Sequence, residues 1–168
     1  FDLYSERIID SLDLVTLDFK NILILGNHDN KILHYISKRF KDSSITIYDF
    51  KSKSSNNFSL RNIEEEFIDL DLWSAKPKIY DLIISNFFLN LFENMEIILK
   101  NIIVSLIPNG FFVATLPAPE NLYSLKSSMI KTDEEIYGGV YNRFNQNNNL
   151  KDIIEILKKN NFKIPLVN

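Results

Sequence analysis

The chain has 168 residues, one domain's worth at about 150 residues per domain, and is long enough to bury roughly 70% of its unfolded surface without a metal or disulfide staple. Twenty-two acidic against nineteen basic residues give a net charge of −3, which argues against a nucleic-acid binder, and zero cysteine removes disulfides, thiolate zinc sites and cysteine nucleophiles. With 45% apolar and 24% charged residues, no signal peptide and no apolar run near the ~18 residues of a membrane span, a soluble cytoplasmic protein is expected.

Ser5 ahead of Ile8, Ile9 and Leu12 predicts a capped opening helix. Ile22-Leu23-Ile24-Leu25 is the continuous apolar run of a strand buried on both faces, and it ends at Gly26-Asn27-His28-Asp29-Asn30. Ile32, Leu33, Ile36 and Phe40 give a helical stripe, and Ile45 to Asp49 is a second strand that finishes in an acid. Residues 50–62 are polar and read as loop, followed by the acid-rich Glu64 to Asp71 and by Trp73. Tyr80 to Ser85 is the next strand. Met95, Ile98, Leu99, Ile102, Ile103 and Leu106 repeat at helical spacing, with Pro108-Asn109-Gly110 as the stop. Phe111 to Leu116 is a fourth strand, Glu120 to Met129 a helix, Leu150 to Leu157 another, and Phe162 to Val167 a last strand. The chain begins at Phe1 rather than Met and stops within that last strand, so trimmed ends are expected. Abundant Ile, Asn and Lys with only Arg7, Arg39, Arg61 and Arg143 point to an AT-rich, bacterial source.

Strands alternating with helices of 10–15 residues specify a doubly wound α/β fold: a mostly parallel, Rossmann-like sheet with helices on both faces, in a single domain over residues 1–168. Ligands in such folds bind outside the carboxyl ends of the strands, where strand order switches. The candidate residues therefore end strands: Gly26 to Asn30, Asp49, Asp69 with Asp71, Ser85 with Asn86, and Pro117 to Glu120. Asp49 is suited to accept two hydrogen bonds from a ribose diol, or else serves as a helix cap or a solvated loop charge. In the first loop only Gly26 offers the freedom a nucleotide-type cofactor asks of the backbone. Asn, Asp and His are the side chains that best tolerate left-handed backbone, so residues 27–30 can keep the turn while placing side chains in ligand space.

Strand, glycine loop, helix, strand ending in acid, then Tyr80-Asp81-Leu82-Ile83-Ile84-Ser85 and Leu106-Ile107-Pro108-Asn109-Gly110-Phe111-Phe112 resemble a class I S-adenosylmethionine-dependent methyltransferase with its "FDLVVS" and "LKPGGxF" segments. Glu120 to Lys126 and Gly138-Gly139-Val140 resemble, more narrowly, the mitochondrial complex I assembly-factor methyltransferase-like proteins and the related biotin-pathway malonyl-carrier-protein methyltransferase. The resemblance implies the methyltransferase fold, with or without its last strand, and S-adenosylmethionine as cofactor. By position it places Gly26 and Asn27 at the methionyl part, Asp49 at the ribose, Asp69 or Asp71 (or Glu64 to Glu66) near the adenine, and Asn86 beside the transferred methyl. Ile24 stands where the family has its first acid, His28 and Asn30 where it has its second and third glycines, and Asn90 where relatives often carry His. His28 thus occupies the place where glycine admits the methionyl end. The assembly-factor likeness implies a protein acceptor, including an arginine modified by hydroxylation; the carrier-protein likeness implies a carboxylate.

Two functions follow: a methyltransferase or related modifying enzyme, or a non-catalytic assembly protein that keeps the fold and has lost the cofactor. A dinucleotide dehydrogenase ranks below both, because Gly26 to Lys31 lacks G-x-G-x-x-G spacing. His34 reads as surface, and two histidines without cysteine disfavour a transition-metal cluster. Trp73 reads as core or adenine wall, Phe87 and Phe88 as core or acceptor pocket. Asp133, Glu134 and Glu135 read as a solvated charge run, and Arg143 as a surface residue or a contact for an acidic partner.

Overall fold

The computed structural model describes residues 2–26, 30–49, 62–67, 73–92, 94–117, 123–141 and 150–163. In chain order its first elements are α1 (Asp2–Asp13), β1 (Asn21–Leu25), α2 (Lys31–Arg39), β2 (Ser44–Asp49) and β3 (Ile63–Phe67). These are followed by β4 (Tyr80–Asn86), a 3-10 turn (Leu89–Leu91), α3 (Met95–Ser105), β5 (Leu106–Thr115), α4 (Tyr123–Tyr137) and α5 (Leu150–Lys159). The first 116 residues form one compact unit and Pro117–Asn168 a second.

All strand pairs among the described residues are parallel, in the order β3-β2-β1-β4-β5. Aliphatic runs dictate which strands lie inside. Ile22 and Ile24 of β1, Ile45 and Ile47 of β2, and Leu82 and Ile84 of β4 pack with Ile8 and Leu12 of α1 and with Ile32, Leu33 and Ile36 of α2. Successive residues point to opposite faces, so Leu23, Leu25, Tyr48 and Ile83 face the other way and are equally buried. Both faces are therefore covered, as a central parallel strand requires.

Polar groups at the ends of elements fix how the layers meet. The Asp81 carboxylate accepts the backbone N–H groups of Lys20 at 2.7 Å and Asn21 at 3.0 Å, which ties the start of β4 to the start of β1. Arg39, at the end of α2, donates to the carbonyls of Leu12 at 2.8 Å and Val15 at 2.6 Å, and its guanidinium also reaches Asp13 and the Tyr35 hydroxyl. It thereby ties the last turn of α1, and the residues just beyond it, to α2. In α3 the Asn94 side chain caps Ile97 N–H, while the N–H groups of Lys78 and Ile79 close the last carbonyls, Val104 and Ser105, at 2.9 Å each.

Several expectations are corrected. The opening helix starts at Asp2, so Ser5 is an interior helical residue, wholly buried, rather than its cap. Ile63–Phe67 is an edge strand that its three consecutive glutamates concealed. α3 ends at Ser105, and the Pro108-Asn109-Gly110 segment belongs to β5, which starts at Leu106. A register shift between Tyr80 and Leu82 and a left-handed Asn109 (φ 65°) absorb the irregularity, and a bulged edge is where a strand tolerates proline. In the second unit α4 begins at Tyr123 and runs to Tyr137, so Asp133 to Glu135 are helical. Asp133 is buried rather than solvated and accepts the Tyr141 N–H at 3.2 Å. Gly138, at φ 67°, ends that helix with its N–H on the Glu134 carbonyl, the left-handed stop glycine allows. Phe162 and Lys163 are not in a strand; the rest of the predicted last strand lies outside the described residues.

Candidate functional site

Parallel strands bring their carboxyl ends to one rim. Leu25 is in register with both Tyr48 and Ser85, so Gly26, Asp49 and Asn86 are the next residues on three neighbouring strands. Between β1 and β4 the strand order reverses, which is the switch point where α/β sheets open a crevice. Gly26 is buried, adopts φ 76°, and donates its N–H to the Tyr48 carbonyl at 2.8 Å. A side chain at that φ would be strained, so glycine is the residue this exit from β1 requires. The chain returns at Asn30, left-handed at φ 55° and preceding α2 without a side-chain cap, as expected of an asparagine in a glycine-poor loop.

Asp49 ends β2 and is 8% exposed. Asn86 ends β4, is buried, and has both halves of its amide engaged: Nδ2 donates to Ser5 Oγ at 3.0 Å, and Oδ1 accepts from Thr115 Oγ1 at 2.6 Å. Phe87 follows in the left-handed region at φ 53°, its N–H on the Thr115 carbonyl at 3.2 Å and its ring edge-on to Tyr4, centroids 4.6 Å apart. Two polar atoms of β4 and the turn after it, Ser85 Oγ and Asn90 Oδ1, are buried and have no hydrogen-bond partner among the described residues.

Beside β2 one acid of β3 is engaged by a lysine. Glu66 binds Lys76 at 2.8 Å, and the Lys76 ammonium lies 5.8 Å from the Tyr48 ring centroid. The Glu66 carboxylate, and then the Tyr48 hydroxyl, hold Lys76 above its ordinary range. Burial, then the contact with the Tyr80 hydroxyl at 3.5 Å, pushes the Tyr48 phenol far above the usual tyrosine value. Trp73 is buried edge-on to Tyr48 and accepts Asn101 Nδ2 at its carbonyl, so its observed role is packing. Phe88 is wholly buried, and His34 is exposed on α2.

Of the residues expected at the site, Gly26, Asp49 and Asn86 thus share the rim, while Asn27, His28, Asp69, Asp71, Glu120 and Arg143 lie outside the described residues. The sequence reading missed Tyr4, Ser5 and Thr115. For Ser5 a signal existed: it stands three residues before Ile8 and seven before Leu12, on the buried stripe of α1. At the opposite end of the strands, Lys20, Asn21, Asp42, Ser44, Asn62 and Glu64 line a polar depression of about 480 Å³. Among the described residues no group of three His, Asp or Glu side chains could hold a metal ion, and no helix is long and apolar enough to cross a membrane.

No family model matches the sequence, and no curated protein matches it. Solved structures do. An S-adenosylmethionine-dependent methyltransferase from Mesorhizobium loti aligns at 18% identity over 96% of this chain and 83% of its own, with a TM-score of 0.70. The plantazolicin methyltransferase in complex with a monoazolic desmethyl-plantazolicin analogue and S-adenosylhomocysteine aligns at 21% identity over 93% of this chain and 61% of its own, TM-score 0.66. A candidate sarcosine dimethylglycine methyltransferase from Galdieria sulphuraria aligns at 15% over 92% and 59%, TM-score 0.67. The chain thus spans about three fifths of the length of the last two. The chain shares the fold of these solved structures.

Proposed function

We propose that the protein is an S-adenosylmethionine-dependent methyltransferase that binds its cofactor across the carboxyl ends of β1, β2 and β4. The observation that carries this reading is the alignment of left-handed Gly26, buried Asp49 and the end of β4 on one rim at the β1/β4 switch. The residues fit the cofactor. Gly26 presents backbone with no Cβ in the way, and Asp49 offers a carboxylate for a diol. Ser85 Oγ and Asn90 Oδ1 are polar atoms whose burial without partners costs about 1–3 kcal/mol each unless a ligand or water completes them. Similarity of fold to enzymes crystallised with S-adenosylhomocysteine adds to this support.

The cofactor supplies a methyl group already activated on a sulfonium, transferred by in-line displacement. The chain's own contribution is placement and the exclusion of water. By the resemblance, Gly26, Asn27 and His28 would take the methionyl end, Asp49 the ribose and Asp69 the adenine amino group. Asn86 and Phe87, at the end of β4, would border the methyl group of a bound cofactor. A protein or carrier-bound acceptor enters over the loop after β4, in keeping with the likeness to the assembly-factor and carrier-protein methyltransferases. The departures at Ile24, His28 and Asn30 favour a second reading, a non-catalytic assembly protein of the same fold.

Calorimetric titration of the purified chain with S-adenosylmethionine separates the two. Saturable binding at micromolar to low-millimolar cofactor is expected. No heat of binding at millimolar cofactor would leave the non-catalytic reading standing.

A further inference from the structure

Three consecutive residues of α1 grip both sides of the crevice. Glu6 pairs with Lys31, the first residue of α2 after the β1 loop, at 2.7 Å. Ser5 accepts from Asn86 at the end of β4, and Tyr4 stacks edge-on against Phe87. The three contacts differ in weight. Both partners of the Glu6–Lys31 pair are more than one third exposed, and such pairs are worth little and are screened by salt. The Ser5–Asn86 bond is buried, and losing it strands an amide hydrogen in the interior.

Phe87 shows what this grip holds. Left-handed backbone costs a bulky aromatic residue on the order of 1–3 kcal/mol and persists only where its surroundings over-determine it. Here Asn86 is pinned between Ser5 of α1 and Thr115 of β5, Phe87 N–H is tied to the Thr115 carbonyl, and Tyr4 backs the ring. Without those contacts the chain would relax to φ < 0 and leave β4 in another direction.

We infer that Ser5 and Thr115 are positioning residues: through Asn86 they hold Phe87 in its left-handed conformation and so set the β4 wall of the crevice for the cofactor. This rests on the methyltransferase reading for its ligand, but not for its geometry. Because Ser5 belongs to α1 and Thr115 to β5, the site depends on elements at both ends of the first unit, far apart in sequence.

The test uses S-adenosylhomocysteine as the probe and compares Thr115→Val, which keeps the shape and loses the hydroxyl, with Thr115→Ser, which keeps the hydroxyl and loses a methyl. Ser5→Ala is the third variant. Affinity is read by calorimetry and the hold on Phe87 by hydrogen exchange of its amide. Thr115→Val and Ser5→Ala are expected to weaken binding about fivefold to tenfold, the scale of one buried hydrogen bond, and to speed exchange at Phe87. Thr115→Ser should match the wild type in both. Equal loss in Thr115→Ser and Thr115→Val would overturn the inference, since packing rather than the hydrogen bond would be at work. Wild-type affinity in Thr115→Val and Ser5→Ala would overturn it as well, whether or not exchange changes. Should Ser5→Ala not fold, the Thr115 pair decides. If the wild type binds no probe, the methyltransferase reading fails on its own, and exchange at Phe87 alone decides whether Ser5 and Thr115 hold it.

Discussion

Asp49 is an ionisable group closing a strand whose other inward residues, Ile45 and Ile47, are among the most buried in the chain. A carboxylate placed there can bind a ribose through charge-assisted hydrogen bonds, which contribute about 1.5–3 kcal/mol each. Asp49→Ala should therefore weaken S-adenosylmethionine binding by about 1.5–3 kcal/mol, whereas His34→Ala, on the exposed side of α2, should leave it unchanged. Equal calorimetric affinities for Asp49→Ala and wild type would move the ribose site elsewhere. Asp49 and Gly26 were legible in the sequence because each interrupts an apolar run at a strand end. Asn86 was legible as a position but not in its partners: Ser5 is 81 residues away and Thr115 is 29, and no local pattern joins them. Asp133 was misread for the same reason. Within its acidic run nothing marks the one carboxylate that turns inward to meet the Tyr141 N–H.

At the scale of elements, α1 is held to α2 by more than apolar packing. The planar fork of Arg39 reaches the carbonyls of Leu12, in the last turn of α1, and Val15, just past it, at once, which a lysine ammonium on a single stem does not reproduce. Arg39→Lys is expected to lower stability by about 1–2 kcal/mol, read as a lower urea midpoint with an unchanged m-value. An unaltered midpoint would show that Ile8, Leu12, Ile32 and Ile36 hold the two helices unaided. The strands buried on both faces were legible, β1 and β4 from continuous aliphatic runs and β2 from β-branched Ile45, Thr46 and Ile47. Of the edge strands, β3 was missed and β5 was read only from Phe111 onward. Ile63–Phe67 needs apolar residues only at alternate positions, and its glutamates suit an exposed edge. In β5, Pro108 and Gly110 signal a stop to any reading of local propensity, yet parallel pairing of residues 111–115 with β4 carries the strand past them.

For the whole first unit, strand order is what turns scattered residues into a site. Chain order puts Gly26 and Asn86 60 residues apart; the order β3-β2-β1-β4-β5 sets them on adjacent strands. The alternation of strands and helices led to the expectation that Gly26 and Asp49 end adjacent strands, as β1 and β2 do; that β4 flanks β1 on the other side emerges only from the strand order. On the proposed function the cofactor is expected at the rim, rather than in the polar depression at the amino ends of β1, β2 and β3. Amide chemical-shift mapping during titration with S-adenosylhomocysteine distinguishes these two ends of the sheet in one experiment. The largest shifts are expected at Gly26, Asn30, Asp49 and Asn86 to Asn90, with Lys20, Asn21, Ser44 and Asn62 unmoved. Shifts centred on Lys20 and Asn62, or none at saturating ligand, would contradict a cofactor site at the β1/β4 switch.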